Sequence, residues 1–182
     1  MSDTESDNPA NRGPAPKDNG AGNGADTDTD MVSVQTYAQY VRDFSFENPG
    51  APEFFENGEE EGTIDMHIGV DTEKIDGGVY EVGLLIRAEA GRGDKTQFLV
   101  ELTYCGMFKL VNVPEDQTEE ILRVNCANLL FPFARHIIAD ATRNGGYPPL
   151  LLNLIDFGAL YRKYHDDDGE LAGEAAAEDQ AG

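Results

Sequence analysis

VYEVGLLIRAEAGRGDKTQFLVELTY, residues 79–104, is the stretch on which the fold turns. Tyr80, Val82, Leu84, Ile86 and Ala88 occupy every second position, and Phe98, Val100, Leu102 and Tyr104 do the same beyond Gly91-Arg92-Gly93-Asp94. A period of two sends successive side chains to opposite faces of a strand, so this stretch reads as two strands joined by a tight hairpin. Upstream, Ile64, Met66, Ile68 and Val70 alternate with Asp65, His67 and Gly69, and Asp76-Gly77-Gly78 supplies another turn. The three strands form an antiparallel meander. Val32 to Val41, β-branched and aromatic, adds a strand before it. Downstream of Pro114 the period becomes 3.6: Leu130, Phe133, Ala134, Ile137, Ile138 and Ala141 make one helical stripe, ended by Asn144-Gly145-Gly146 and Pro148-Pro149. Before it, Thr118 is placed to cap a short helix with Glu119 and Glu120 in its first turn. After it, Asp156 caps a last helix with Arg162 and Lys163 near its end. Strands followed by helices define an α+β fold: a four-stranded antiparallel sheet, then a long amphipathic helix and a shorter C-terminal helix, with the helices on one face.

This core occupies residues 31–165. Residues 1–30 contain no Leu, Ile, Val, Phe or Tyr, and seven acids against two bases, so they read as a disordered acidic leader. Residues 166–182 carry seven acids and no base, with Leu171 alone among Ala and Gly, and read as a mobile acidic tail. The whole chain has 182 residues and a formal charge of −22; residues 31–165 hold −10 of it. Such a balance repels phosphate backbones and anionic lipid surfaces, which argues against nucleic-acid and membrane-surface binding and favours basic or basic-apolar partners. The chain opens on the acidic run Met1 to Glu5 rather than a basic, apolar leader, and Cys105 and Cys126 are too few for a disulfide scaffold. The expectation is a reduced, cytoplasmic protein. The apolar stretches 127–134 and 147–155 are far short of the roughly 18 residues of a membrane span, so no membrane insertion is expected.

A search for chemistry finds little. Asp26, Asp28 and Asp30 open like a calcium loop, but Met31 stands where Gly is needed and Tyr37 where Glu is needed. Lys95-Thr96 resembles the end of a phosphate-binding loop, yet Asp94 precedes it and would oppose a phosphate. Arg92-Gly93-Asp94 is turn chemistry. His67, His136 and His165 lack partners at metal-ligand spacing, the two cysteines are isolated, and no Gly-x-Ser-x-Gly elbow is present. The residues point to no enzyme, no metal and no cofactor.

What stands out is apolar surface beyond the needs of a small core. The segment from Glu47 to Phe55 reads as a turn-rich loop ending in the pair Phe54-Phe55. Phe157, Leu160, Tyr161 and Tyr164 share one face of the last helix, at i, i+3, i+4 and i+7; pattern alone favours core for that face. Strand four places Leu99 and Glu101 on its outer side, with Thr103.

At Tyr40-Val41-Arg42-Asp43-Phe44-Ser45-Phe46-Glu47-Asn48-Pro49-Gly50-Ala51-Pro52 the chain closely resembles the opening of SecB, the bacterial protein-export chaperone family. The similarity continues through Val79 to Val82, Phe98 to Glu101, Cys126 to Arg135, Asn153-Leu154 and Asp156-Phe157, in order, across roughly 34–165. The resemblance implies an ATP-independent holdase that keeps precursor proteins unfolded and delivers them to the SecA motor. It also implies a homotetramer, a dimer of dimers with the long helices between the sheets and Val100, Leu102, Leu130, Phe133 and Ile137 at the interface. By the same likeness the motor docks on Asp43, Glu47, Leu99 and Glu101, where carboxylates complement a basic zinc-binding segment. The client groove takes Phe54, Phe55, Phe157, Leu160, Tyr161 and Tyr164. The alternative from another class is an acidic module that binds one folded partner and ignores unfolded chains.

Overall fold

The computed structural model describes residues 31–57, 62–93 and 95–165. The leader and the tail expected to be disordered lie outside the described residues. Four strands, β1 (Ser33–Glu47), β2 (Thr63–Asp76), β3 (Val79–Arg92) and β4 (Lys95–Val111), form one antiparallel sheet in the order β1-β4-β3-β2. The meander β2-β3-β4 follows the alternation expected. β1 crosses over to pair with β4, with Ser33 opposite Val111 and Glu47 opposite Leu99. It runs six residues past Val41, pairing on to Leu99, and Phe46 opposite Val100 packs against the core. The β2-β3 turn has Gly77 at φ 58° and Gly78 at φ 78°, the left-handed pair that a two-residue hairpin needs to match strand twist. At the β3-β4 hairpin Arg92 faces Lys95 and Gly93 takes φ 59°; Asp94 lies outside the described residues.

Two short helices differ from expectation. The loop after β1 contains a helix, α1 (Ala51–Asn57), tied to the sheet by the Gly50 amide donating to the Gln97 carbonyl at 3.2 Å. α2 (Glu115–Glu120) starts after Pro114, so Glu115 and Asp116 hold the first turn and no side chain caps it. Thr118 instead donates from within the helix to the Pro114 carbonyl at 3.1 Å, which corrects its assignment as the cap. A π-helical segment, Ile121–Cys126, runs on into α3 (Ala127–Asn144). The last helix, α4, spans 157–165. Asp156 caps it as expected, its carboxylate accepting from the Ala159 amide at 2.8 Å.

The core lies between one sheet face and α3. Val82, Leu84, Ile86 and Ala88 of β3, with Phe98, Val100, Leu102, Tyr104 and Phe108 of β4, meet Ala127, Leu130, Phe131, Ala134 and Ile138, all buried. Each fully buried large aliphatic or aromatic side chain contributes about 1.5–3 kcal/mol relative to exposure. Gly106 lets α3 approach: a Cβ there would come within 2.8 Å of Leu130 and 2.6 Å of the Phe108 ring. Beyond α3 the chain is turned back by Thr142, which is fully buried; its hydroxyl donates to helix carbonyls and accepts from the Leu150 amide at 2.9 Å.

The buried arc of α3 is rotated from the expected stripe. Phe131 is inside and Phe133, though stacked 6.1 Å from Tyr104, is 52% exposed. Of the residues assigned to an oligomer interface, Val100, Leu102 and Leu130 are buried in the chain's own core, because α3, which carries Leu130, covers the sheet face that carries the other two. Phe133 and the half-buried Ile137 keep surface to offer.

Candidate functional site

The outer sheet face is built by register. Glu47 sits opposite Leu99, Ser45 opposite Glu101 and Asp43 opposite Thr103, so Asp43, Glu47, Leu99 and Glu101 form one patch across β1 and β4. A bulge at Arg42 puts Asp43 on this face, because the strand gains one residue between Val41 and Asp43. Asp43 and Glu47 are exposed and Glu101 is partly so. Arg87 on β3 holds Glu101 at 3.1 Å and Glu89 at 2.9 Å, and Glu89 also accepts from the Thr96 hydroxyl at 2.8 Å.

The extra residue of that bulge anchors a second network. The Arg42 guanidinium reaches Glu81 at 2.5 Å and Asp71 at 2.9 Å, lying over Gly83, where a Cβ would meet the Asp71 carboxylate at 2.7 Å. Tyr40 donates a short hydrogen bond to Glu81. That bond, then burial, pushes the Tyr40 hydroxyl up to about 12, and the same donor holds the Glu81 carboxyl below its usual value of 4.5. Cys105 is buried beneath these charges and its thiol is pushed up to about 11 by desolvation; Cys126, in the apolar core, is pushed up to about 12. Both thiols are therefore neutral near pH 7.

On the other side of β2, α4 encloses a cavity of about 230 Å³ lined by Ile68, Val70, Phe157, Leu160, Tyr161 and Tyr164. Phe157 forms its floor: the ring is buried, edge-on to Phe131 with centroids 6.0 Å apart. Leu160 and Tyr161 are half-buried and Tyr164 is half-exposed. Arg123 closes one wall, donating to the Val70 carbonyl at 2.5 Å and to Glu119 at 3.0 Å, with its guanidinium 4.9 Å from the Tyr164 ring centre. β2 is an edge strand, so this wall is also where main chain stands free of a neighbouring strand.

Phe54 is not brought to this cavity. It packs at the far end of the core, 4.6 Å from Tyr147, which in turn lies 4.9 Å from Phe98. Tyr147 donates to Asn48 at 2.6 Å and Asn48 to the Gly145 carbonyl at 3.0 Å, which fixes that end of the sheet to the end of α3. The side chain of Phe55 lies outside the described residues. Sequence reasoning missed Leu151 and Leu154, 64% and 86% exposed on the extended segment between α3 and α4. The signal was present: five apolar residues follow Pro148-Pro149 within seven positions, where neither strand nor helix period holds. Among the described residues no three metal-ligating side chains converge, and no helix is long and apolar enough to cross a membrane.

A single-layer sheet backed by one long helix, with an aromatic cavity at its free edge and leucines left in solvent, defines a scaffold for holding other polypeptides. The sequence profile described as preprotein translocase subunit SecB matches residues 27–168. The chain is 42% identical to the protein-export protein SecB of Parvibaculum lavamentivorans over 155 residues, 85% of this chain and 92% of that one. Over 142 residues it is 46% identical to the SecB of Hyphomonas neptunium, covering 77% and 83%. The SecB-like chaperone of Mycobacterium tuberculosis, solved with a peptide of the HigA1 antitoxin, shares the fold at a TM-score of 0.57, with 13% identity over 67% of this chain and 90% of that one. The protein belongs to the SecB family of protein-export chaperones.

Proposed function

We propose that the protein is an ATP-independent holdase that keeps precursor proteins unfolded in the cytoplasm and passes them to the SecA motor. The observation that carries this reading is the cavity at the β2 edge, where aromatic area lies beside a strand edge that no neighbouring strand covers. An unfolded chain offers extended backbone and apolar side chains together, and a folded protein hides both. Leu151 and Leu154 extend the client surface, whereas Phe54 supports the end of the core. The acidic patch of Asp43, Glu47 and Glu101, with Leu99 among them, suits a basic segment of the motor. Self-assembly into a dimer of dimers is supported by a cluster that α3 leaves uncovered. Val41 and Phe44 of the β1 edge, with Leu129 and Phe133, are all exposed.

The test is dilution of a urea-unfolded precursor into buffer with and without stoichiometric protein and no nucleotide, followed by light scattering and protease digestion. Suppressed aggregation of a precursor that stays protease-sensitive is the expected result. Unchanged scattering, with folded proteins competing as well as unfolded ones, overturns it in favour of a single-partner module.

A further inference from the structure

The client cavity beneath α4 reaches round the β2 edge, from Ile68 and Val70 on the inner face to Gly69, Asp71 and Leu85 on the outer, and there meets a second hollow. On the outer face a shallow trough of about 540 Å³ runs past Asp43, Thr103, Leu85, Arg87 and Glu101. Ile68, Gly69 and Leu85 line both this trough and the cavity beneath α4. Gly69 is the low point of the β2 edge. It stands opposite Leu85 between His67 and Asp71, and a Cβ built on it would meet only the Leu85 Cβ, at 4.0 Å. Its neighbours on that face carry an imidazole and a carboxylate, so the edge is walled on either side and open at the glycine.

We propose that the client path does not end in the cavity but crosses the β2 edge at Gly69 and continues over Leu85 toward Asp43 and Glu101. This deepens the holdase reading and rests on it. Leu85, 38% exposed on a face otherwise rich in charge, gives the crossing segment an apolar seat. The chemistry met along the path is ordered: aromatic area in the cavity, no side chain at the saddle, one leucine beyond it, then carboxylates. The segment it fits is extended, apolar at one end and basic at the other. Passing from one face of a sheet to the other covers about 10 Å, which takes about three residues of extended chain at 3.3 Å each.

The experiment compares fluorescent peptides by anisotropy: an eight-residue apolar-aromatic peptide, and versions extended at either end by four residues that finish in two lysines or two glutamates. The full-length protein and its Gly69→Val, Gly69→Ala and Leu85→Ser variants are titrated at moderate salt. Extension with lysines at one end should tighten binding to the wild type about five- to tenfold, and extension with glutamates should give no gain. The readout is the ratio of extended to short peptide affinity within each protein: in Gly69→Val the lysine extension should bring no gain over that variant's own short-peptide affinity, with Gly69→Ala and Leu85→Ser between. A β-branched residue suits this strand and has room, so an unchanged urea midpoint is expected for the valine variant. An equal gain in wild type and Gly69→Val, or no gain in wild type, overturns the path while leaving the cavity reading intact. Failure of the short peptide to bind overturns both, and the first titration shows it separately.

Discussion

The two faces of β4 obey different rules. One carries Phe98, Val100, Leu102, Tyr104 and Phe108, all buried under α3; the other carries Leu99, Glu101 and Thr103, half-open and bordered by paired charges. The first face is fixed by volume, since each side chain must fit α3 and its neighbours. The second tolerates empty positions such as Gly69 and Gly83, and its side chains are held by partners on other strands. Stability should therefore reside on the inner face and recognition on the outer face and at its edge.

The largest effect should come from breaking the inner face. Leu130→Ala leaves a cavity under Gly106 and should cost about 3 kcal/mol in urea unfolding, enough to threaten the fold. Next, reversing charge outside, as Asp43→Lys with Glu47→Lys, should weaken binding of the basic zinc-binding C-terminal segment of SecA about tenfold by calorimetry and flatten its salt dependence, with the urea midpoint almost unmoved. The Arg42 network sits between these extremes. Glu81→Gln should cost about 1 kcal/mol at pH 7, because it weakens two charge-assisted bonds to a mostly buried carboxylate. Its pH dependence has a definite sign. A carboxyl held below 4.5 in the folded state adds stability that is present above that pH and is lost as the pH falls through the folded value, so the variant should lose part of the acid limb of its stability curve. Smallest, Leu151→Ser and Leu154→Ser should change the urea midpoint within about 0.5 kcal/mol while lowering the affinity for an unfolded client several-fold. A loss of stability there would make the connector part of the core and blur the contrast. The cysteines sharpen it further: with both thiols pushed up by burial, neither should react with a thiol reagent at pH 8 until urea opens the fold.

The inner face was legible because alternation reports burial directly, and the strand spans follow from it. The partner of β1 was not, since periodicity says which face is apolar but not which strand lies beside it. α3 was legible as a helix, while the choice of Phe131 over Phe133 depends on where the sheet lies, which no local pattern records. Asp43, Glu47, Leu99 and Glu101, which the resemblance singles out, share one surface only through the β1-β4 register, which no local pattern records. The cavity was half legible: the α4 stripe gave Phe157, Leu160, Tyr161 and Tyr164, but Ile68, Val70 and Arg123 join them only through folding. Arg42 gave no signal at all, because its importance comes from a bulge and from two strands it reaches across.

The crossover of β1 also bears on how this protein is made. The first strand to leave the ribosome pairs with the last, roughly fifty to eighty residues later in the chain, and synthesis at roughly 5–20 residues per second imposes a wait of several seconds. During that wait the backbone of β1 has no strand to pair with, and Phe46 has no Phe98 to stack on. A nascent SecB chain thus spends its first moments as the kind of polypeptide its finished form is built to hold.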